Sequence, residues 1–199
     1  RPGSVRDRLG QAFAIVGISF PTFVLGMIAL YALYFLPTKM GVTLFPPSGY
    51  VPFTENPAQW IWHLVLPWLT LAMVIAAVYA RLTRGQMLDV LGQDYIRTAR
   101  AKGLTERRVI YVHALRSALP PLVTQLGIDI GMLLGGVIVI EQVFGLQGVG
   151  SLAVTSVAMQ DRPVVIAIVL LGGLFVVLSN LIVDLLYAML DSRVRTARK

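Results

Sequence analysis

Few side chains in this sequence are equipped for chemistry, and most of those are carboxylates. Cysteine is absent, which removes thiolate metal sites, thiol nucleophiles and disulfide frameworks together. The glycine-rich stretch Gly145-Leu146-Gln147-Gly148-Val149-Gly150 lacks the lysine and the strand–loop–helix setting of a phosphate-binding loop, and no Gly-x-x-x-x-Gly-Lys occurs elsewhere. What remains is Asp129, Glu141, Asn180 and Asp184 in or beside long apolar runs, and a basic stretch between residues 81 and 116. A carboxylate at the centre of a membrane helix costs at least about 2.5 kcal/mol on insertion scales, so Asp129 has to face a cavity or a partner such as Asn180 or an interfacial hydroxyl, unless it lies at the membrane edge. On a translocation path it would meet solute or proton; against a partner it would only tie helices together. Glu141 is the second candidate for such a path, although it lies nearer a run end, as do Asn180 and Asp184, where a structural role is the simpler account.

The elements that would position these residues follow from composition. The chain is 56% hydrophobic and 14% charged, with a mean hydropathy of +0.75. A soluble domain averages about 45–50% apolar and about 25% charged, so this sequence is too apolar for a water-facing shell. A bilayer core needs about 20 apolar residues in helix, and four runs qualify: 9–36, 60–80, 117–140 and 163–190. Trp60 and Trp62 open the second as an aromatic belt, with His63 beside them as an interfacial residue. Five prolines make 37–59 an irregular loop. The expected fold is an all-α polytopic transmembrane bundle forming one domain over 1–199.

Of the 17 Lys and Arg residues, three lie before the first run, eight in 81–116 and four after Leu190, so 15 fall on one side and only Lys39 and Arg162 on the other. By the positive-inside bias that side, including both ends of the chain, is cytoplasmic. The net charge of +7 is then a topology signal rather than a nucleic-acid footprint. His63 and His113 fall on opposite faces, which excludes a shared metal site. Because the chain opens on Arg1 and a charged stretch without a cleavage pattern, it reads as a fragment or a processed chain.

Within 81–116, Asp94 is expected to cap a helix over Tyr95 to Lys102 that ends at Gly103, and Thr105 to cap a second helix with Glu106 in its first turn. Tyr95, Thr98, Ala99 and Lys102 would share one face, and Arg97, Arg100 and Ala101 another. Eight helical residues span about 12 Å, too few to bury a core alone. Such a helix either docks against something or is a solvated juxtamembrane loop, and spacing does not decide between them.

These residues resemble a known family. Asp94-Tyr95-Ile96-Arg97-Thr98-Ala99-Arg100-Ala101-Lys102-Gly103-Leu104, continued by His113-Ala114-Leu115-Arg116-Ser117-Ala118-Leu119-Pro120, is similar to the cytoplasmic loop of bacterial ABC importer permeases, in its dipeptide and oligopeptide branch. The general pattern, Glu-Ala-Ala, three residues, Gly, falls on Arg97, Thr98, Ala99 and Gly103, with Arg in place of Glu and Thr in place of the first Ala. The proline that usually follows falls at Arg116, with Pro120 one turn later. Gly17-Ile18-Ser19-Phe20-Pro21-Thr22-Phe23, Glu141-Gln142-Val143-Phe144 and Asp184-Leu185-Leu186-Tyr187-Ala188-Met189-Leu190-Asp191 extend the likeness over the whole chain.

The resemblance implies a bacterial inner-membrane permease subunit that hydrolyses nothing and binds no cofactor itself. ATP and magnesium would act in two separate ATPase subunits. Further partners would be a second permease and an extracytoplasmic binding protein. Asp94, Tyr95, Arg97, Thr98, Ala99, Arg100, Lys102 and Gly103 would form the ATPase-coupling helix. Such permeases have about six helices, so this chain would hold the last four. Peptides are the expected cargo, with nickel chelates or glutathione as alternatives inside the family. From other classes, a proton-coupled transporter using Asp129, or an anchored interaction protein using the basic loop, would also fit the pattern. Gly127, Gly131 and Gly135 form a small-residue stripe for close packing against another span or the partner permease, with Asp129 about 200° away. The outer segment 141–162, helical over Ser151 to Met159, could dip back toward the membrane as a gate or a contact for the binding protein.

Overall fold

The computed structural model describes residues 4–134 and 137–190. Gly135, the side chain of Asp184 and the basic tail after Leu190 lie outside what it describes. The described residues form helices and loops with no strand. In chain order the helices are α1 (Val5–Ser19), α2 (Thr22–Lys39), α3 (Pro57–Leu91), α4 (Asp94–Ala101), α5 (Glu106–Leu134), α6 (Ile138–Phe144), α7 (Val149–Ala158) and α8 (Arg162–Leu190). Four of them, α2, α3, α5 and α8, are long and apolar enough to cross a membrane, or five spans if α6 and α7 are taken as one broken crossing.

Three of the runs read from sequence differ in their limits, and the simplest case is 60–80, which continues as helix to Leu91. The run 9–36 is divided at Phe20, which is extended (φ −98°, ψ 136°), immediately before Pro21. The proline ring disfavours the α conformation in the residue ahead of it and has no N–H to continue the ladder, so α1 ends there and α2 starts anew. The run 117–140 is divided after Leu134, and its last residues, from Ile138, belong to α6. At its other end the helix starts eleven residues earlier, at Glu106, passing through a π-helical stretch, Val109–Ala114, before the regular segment Leu115–Leu134. Charge counting could not see either limit, because helices continue through polar residues and stop within apolar ones.

The chain divides into two compact units, Arg1–Val78 with Gly135–Gly173, and Tyr79–Leu134 with Leu174–Lys199. The core of the first is Leu66, Ile140 and Phe144, surrounded by Ala29, Leu30, Phe45, Leu71, Val137, Val143 and Leu146. Here α6 and α7 meet at 89°, and Gly145, left-handed at φ 63°, makes the turn between them. Glu141 of α6 holds the bend: its carboxylate accepts from the Ser151 N–H at 2.6 Å, while the Ser151 hydroxyl accepts from the Gly148 N–H at 3.0 Å. A carboxylate at the start of α7 also suits the helix dipole. Around the N-terminal end of α3, Phe45 stacks on Trp62 at 5.2 Å, and Trp60 meets Phe53 and Trp68 edge-on.

In the second unit the glycine stripe of α5 packs against α8 of the same chain. A Cβ at Gly127 would overlap the Val183 side chain, and one at Gly131 would sit 3.2 Å from the Val176 Cα. Gly127 and Gly131 therefore pack against another span of the same chain, one of the two partners expected. The outward side of α8 is apolar and open, with Val169 67%, Leu170 68% and Val177 64% exposed, as a lipid-facing helix would be.

Candidate functional site

The basic stretch 81–116 folds as the tip of a helical hairpin in the second unit. Gln93, extended at φ −74° and ψ 149°, is the N-cap of α4, and Asp94 is its first helical residue rather than its cap. Asp94 works from inside the first turn, where its charge favours the dipole; its main-chain carbonyl accepts the Thr98 hydroxyl at 3.0 Å and its carboxylate meets Arg97 at 3.4 Å. At the other end, Gly103 takes φ 78°, a conformation that costs residues with a Cβ roughly 1–2 kcal/mol, and lets the chain reverse into Thr105, the N-cap of α5.

What docks α4 is its aliphatic side. Ile96 is 0% and Ala99 9% exposed, and both pack against Val109 and Ala114 of α5, with Met87, Val90 and Leu91 of α3 and Leu104 closing the cluster. The inward face is thus set by Ile96 with Ala99, three residues on; of the face shared by Tyr95, Thr98, Ala99 and Lys102 only Ala99 is buried. Tyr95 is 46% exposed, and Asp94, Arg97, Thr98, Arg100, Lys102 and Gly103 also face outward. Ala99, expected among the contacting residues, is turned inward to the chain's own core. Ile96 was detectable as the one large aliphatic residue in an otherwise polar or small octet.

Across the Gly103 turn, Arg100 donates to both carboxylate oxygens of Glu106, Nε at 3.1 Å and Nη2 at 2.8 Å. The pair joins the last turn of α4 to the first residue of α5, at its polar end, with both side chains partly exposed. Hydrogen bonding to Arg100 holds the Glu106 carboxyl below the usual range, and Glu106 in turn raises the Arg100 guanidinium. Glu106 was read only as a first-turn charge.

Asp129 and Glu141, the two acids placed on a possible translocation path, are in different units and have different partners. Asp129 accepts from the Gln125 amide at 2.9 Å and acts electrostatically on the Tyr79 hydroxyl of α3, whose oxygen is buried without a hydrogen bond of standard geometry. Its hydrogen-bond partner is thus Gln125, one turn away on the same helix, rather than the exposed Asn180 named as a candidate. Tyr79 precedes Arg81 by only two residues. Along α5, Asp129 comes 23 residues after Glu106 and five before Leu134, far from the Gly103 turn. Nothing in the sequence pairs Tyr79 with a residue fifty positions on. Glu141 is committed to the α6–α7 bend. Among the described residues no cluster of three or more His, Asp or Glu could hold a metal ion.

Residues 1–196 match the family described as binding-protein-dependent transport system inner membrane component. The chain is 47% identical over 189 residues, 95% of its length, to the glutathione transport system permease proteins of Pectobacterium atrosepticum and Salmonella typhimurium, and 46% identical to that of Escherichia coli (strain K12). It spans 58% of the length of these relatives. With an all-helical chain of several apolar spans and a hairpin tip built around the residues that carried the resemblance, the chain belongs to the inner-membrane permease family of binding-protein-dependent ABC importers.

Proposed function

We propose that this chain is a substantial part of a permease subunit that carries short peptides, glutathione foremost, across the bacterial inner membrane, and that α4 is the helix through which separate ATPase subunits drive it. The observation that carries the reading is the build of α4. A helix too short to stand alone is footed by Ile96 and Ala99 on its own hairpin and offers Tyr95, Arg97, Thr98 and Lys102 outward. That is the arrangement a lever needs: a fixed foot and a polar face open to a second protein. Both ends of the chain and the hairpin tip would lie in the cytoplasm, where the basic residues concentrate. ATP and magnesium act in the ATPases, a second permease completes the pathway, and an extracytoplasmic binding protein delivers the solute. The names of the relatives support glutathione, itself a tripeptide, over nickel chelates.

On this reading Asp129, with Tyr79 and Gln125, borders the path taken by solute, and Glu141 shapes the outer segment. The test is reconstitution of the complete transporter in vesicles with labelled glutathione, a dipeptide and nickel offered separately. ATP-dependent glutathione uptake that is lost in Gly103→Pro supports the reading. Uptake that follows a pH gradient without ATPases, or survival of ATP-driven uptake in Gly103→Pro, overturns it.

A further inference from the structure

We propose that Arg100 and Glu106 form a strut that fixes the angle between α4 and α5, so that both are positioning residues for energy coupling and Arg100 is not a direct ATPase contact. The inference rests on the reading of α4 as the coupling helix.

Only four residues, 102–105, join α4 to α5, and one of them is the left-handed Gly103. A push on α4 can be absorbed by bending this link or delivered to α5. The apolar foot resists lifting of α4, but hydrophobic contact is non-directional and permits rolling. A bidentate guanidinium–carboxylate fork is planar and directional, and it opposes that rolling. Arg100 and Glu106 form such a fork, and it is the described ion pair that crosses the turn; Arg97 and Asp94 make a single 3.4 Å contact within α4. Placement reinforces it. Arg100 lies in the last turn of α4 and Glu106 in the first turn of α5, each at the helix end that favours its charge. Two of the Arg100 nitrogens are already engaged, which leaves Tyr95, Arg97 and Lys102 as the better placed outward contacts.

Because the fork is partly exposed, at 41% and 58% of its two side chains, it adds little to global stability, and variants that lack it should fold. The experiment uses full-length permease in the reconstituted complex and measures solute taken up per ATP hydrolysed. Arg100→Gln and Glu106→Gln are expected to keep ATP turnover and thermal stability but lower uptake per ATP by about fivefold or more, the lower end of ordinary coupling between sites. The exchanged pair Arg100→Glu with Glu106→Arg should recover part of that loss, incompletely because each charge then opposes its helix dipole. Single variants that retain the uptake-to-ATP ratio overturn the strut. So does a loss of ATP turnover and uptake together that the exchange does not relieve, which would make Arg100 a direct contact. An Ile96→Asp variant run in parallel separates the two levels: unchanged coupling there removes the coupling-helix reading itself, whereas lost coupling there with intact coupling in the fork variants removes only the strut.

Discussion

The foot of α4 gives the most quantitative prediction. Ile96 is fully buried among Ala99, Val109 and Ala114. Truncating a buried Ile to Ala costs about 2–5 kcal/mol, and to Val about 0.5–1.5 kcal/mol. α4 has eight residues, and isolated helices shorter than about 12–15 residues are marginal in water. The loss should therefore appear as local opening of α4, with the spans intact. At about 1.4 kcal/mol per factor of ten, Ile96→Ala should reduce the protection of the α4 amides against hydrogen exchange by about 30- to 3000-fold, and Ile96→Val by roughly 2- to 13-fold. Amides of α8, which make no part of this cluster, should keep their rates. Hydrogen exchange with mass-spectrometric readout on the detergent-solubilised complex resolves the two segments. If Ile96→Ala changes α4 exchange by less than about threefold, or if α8 loosens in step, the claim that Ile96 anchors α4 locally fails.

Four further outcomes can be checked on the same material. Glu141→Ala should destabilise α7 by about 0.5–2 kcal/mol, seen as faster exchange over residues 149–158, whereas Glu141→Gln, which keeps an acceptor for the Ser151 N–H, should lose only the charge contribution of about 0.3–1 kcal/mol. Gly127→Leu should lower the thermal midpoint through an overpacking cost of about 1–3 kcal/mol against Val183. Gly172→Ala, with open space around it, should be neutral or gain about 0.5–1 kcal/mol. Uptake per ATP should be flat between about pH 6 and 8 as far as the fork is concerned: Glu106 is lowered by Arg100, so its contribution is present above the ordinary carboxylate value of about 4.3 and is lost only as pH falls through the lower folded value. A midpoint near neutrality that disappears in Glu106→Gln would contradict this.

Composition and charge spacing were enough to read an all-helical chain of several apolar spans, because the desolvation cost of backbone and charge in hydrocarbon leaves few alternatives. The continuation of the helix capped at Thr105 into the apolar run from 117, the end of α5 at Leu134 and the division at Phe20–Pro21 were not foreseen. The continuation crosses polar residues that a count of uncharged runs treats as loop, the end falls inside apolar sequence, and Pro21 carried a local signal that the length of the run concealed. In the hairpin tip, Gly103 and Thr105 were legible from turn and cap chemistry, whereas no inward face was assigned, although Ile96 is the one large aliphatic side chain of α4. The Glu141–Ser151 pairing is tertiary: it closes a bend between two helices and has no local signature.

The cluster under α4 also has a bearing on how the chain assembles. All eight of its members, from Met87 to Leu104 and on to Ala114, fall within a stretch of 28 residues. Contacts this close in sequence have short loops to close and form fast, and chains fold progressively as they are synthesised. The hairpin tip needs nothing made after Ala114, while the Gly127–Val183 packing has to wait for α8. The part of the molecule read as meeting another protein is thus complete before the last membrane crossing leaves the ribosome.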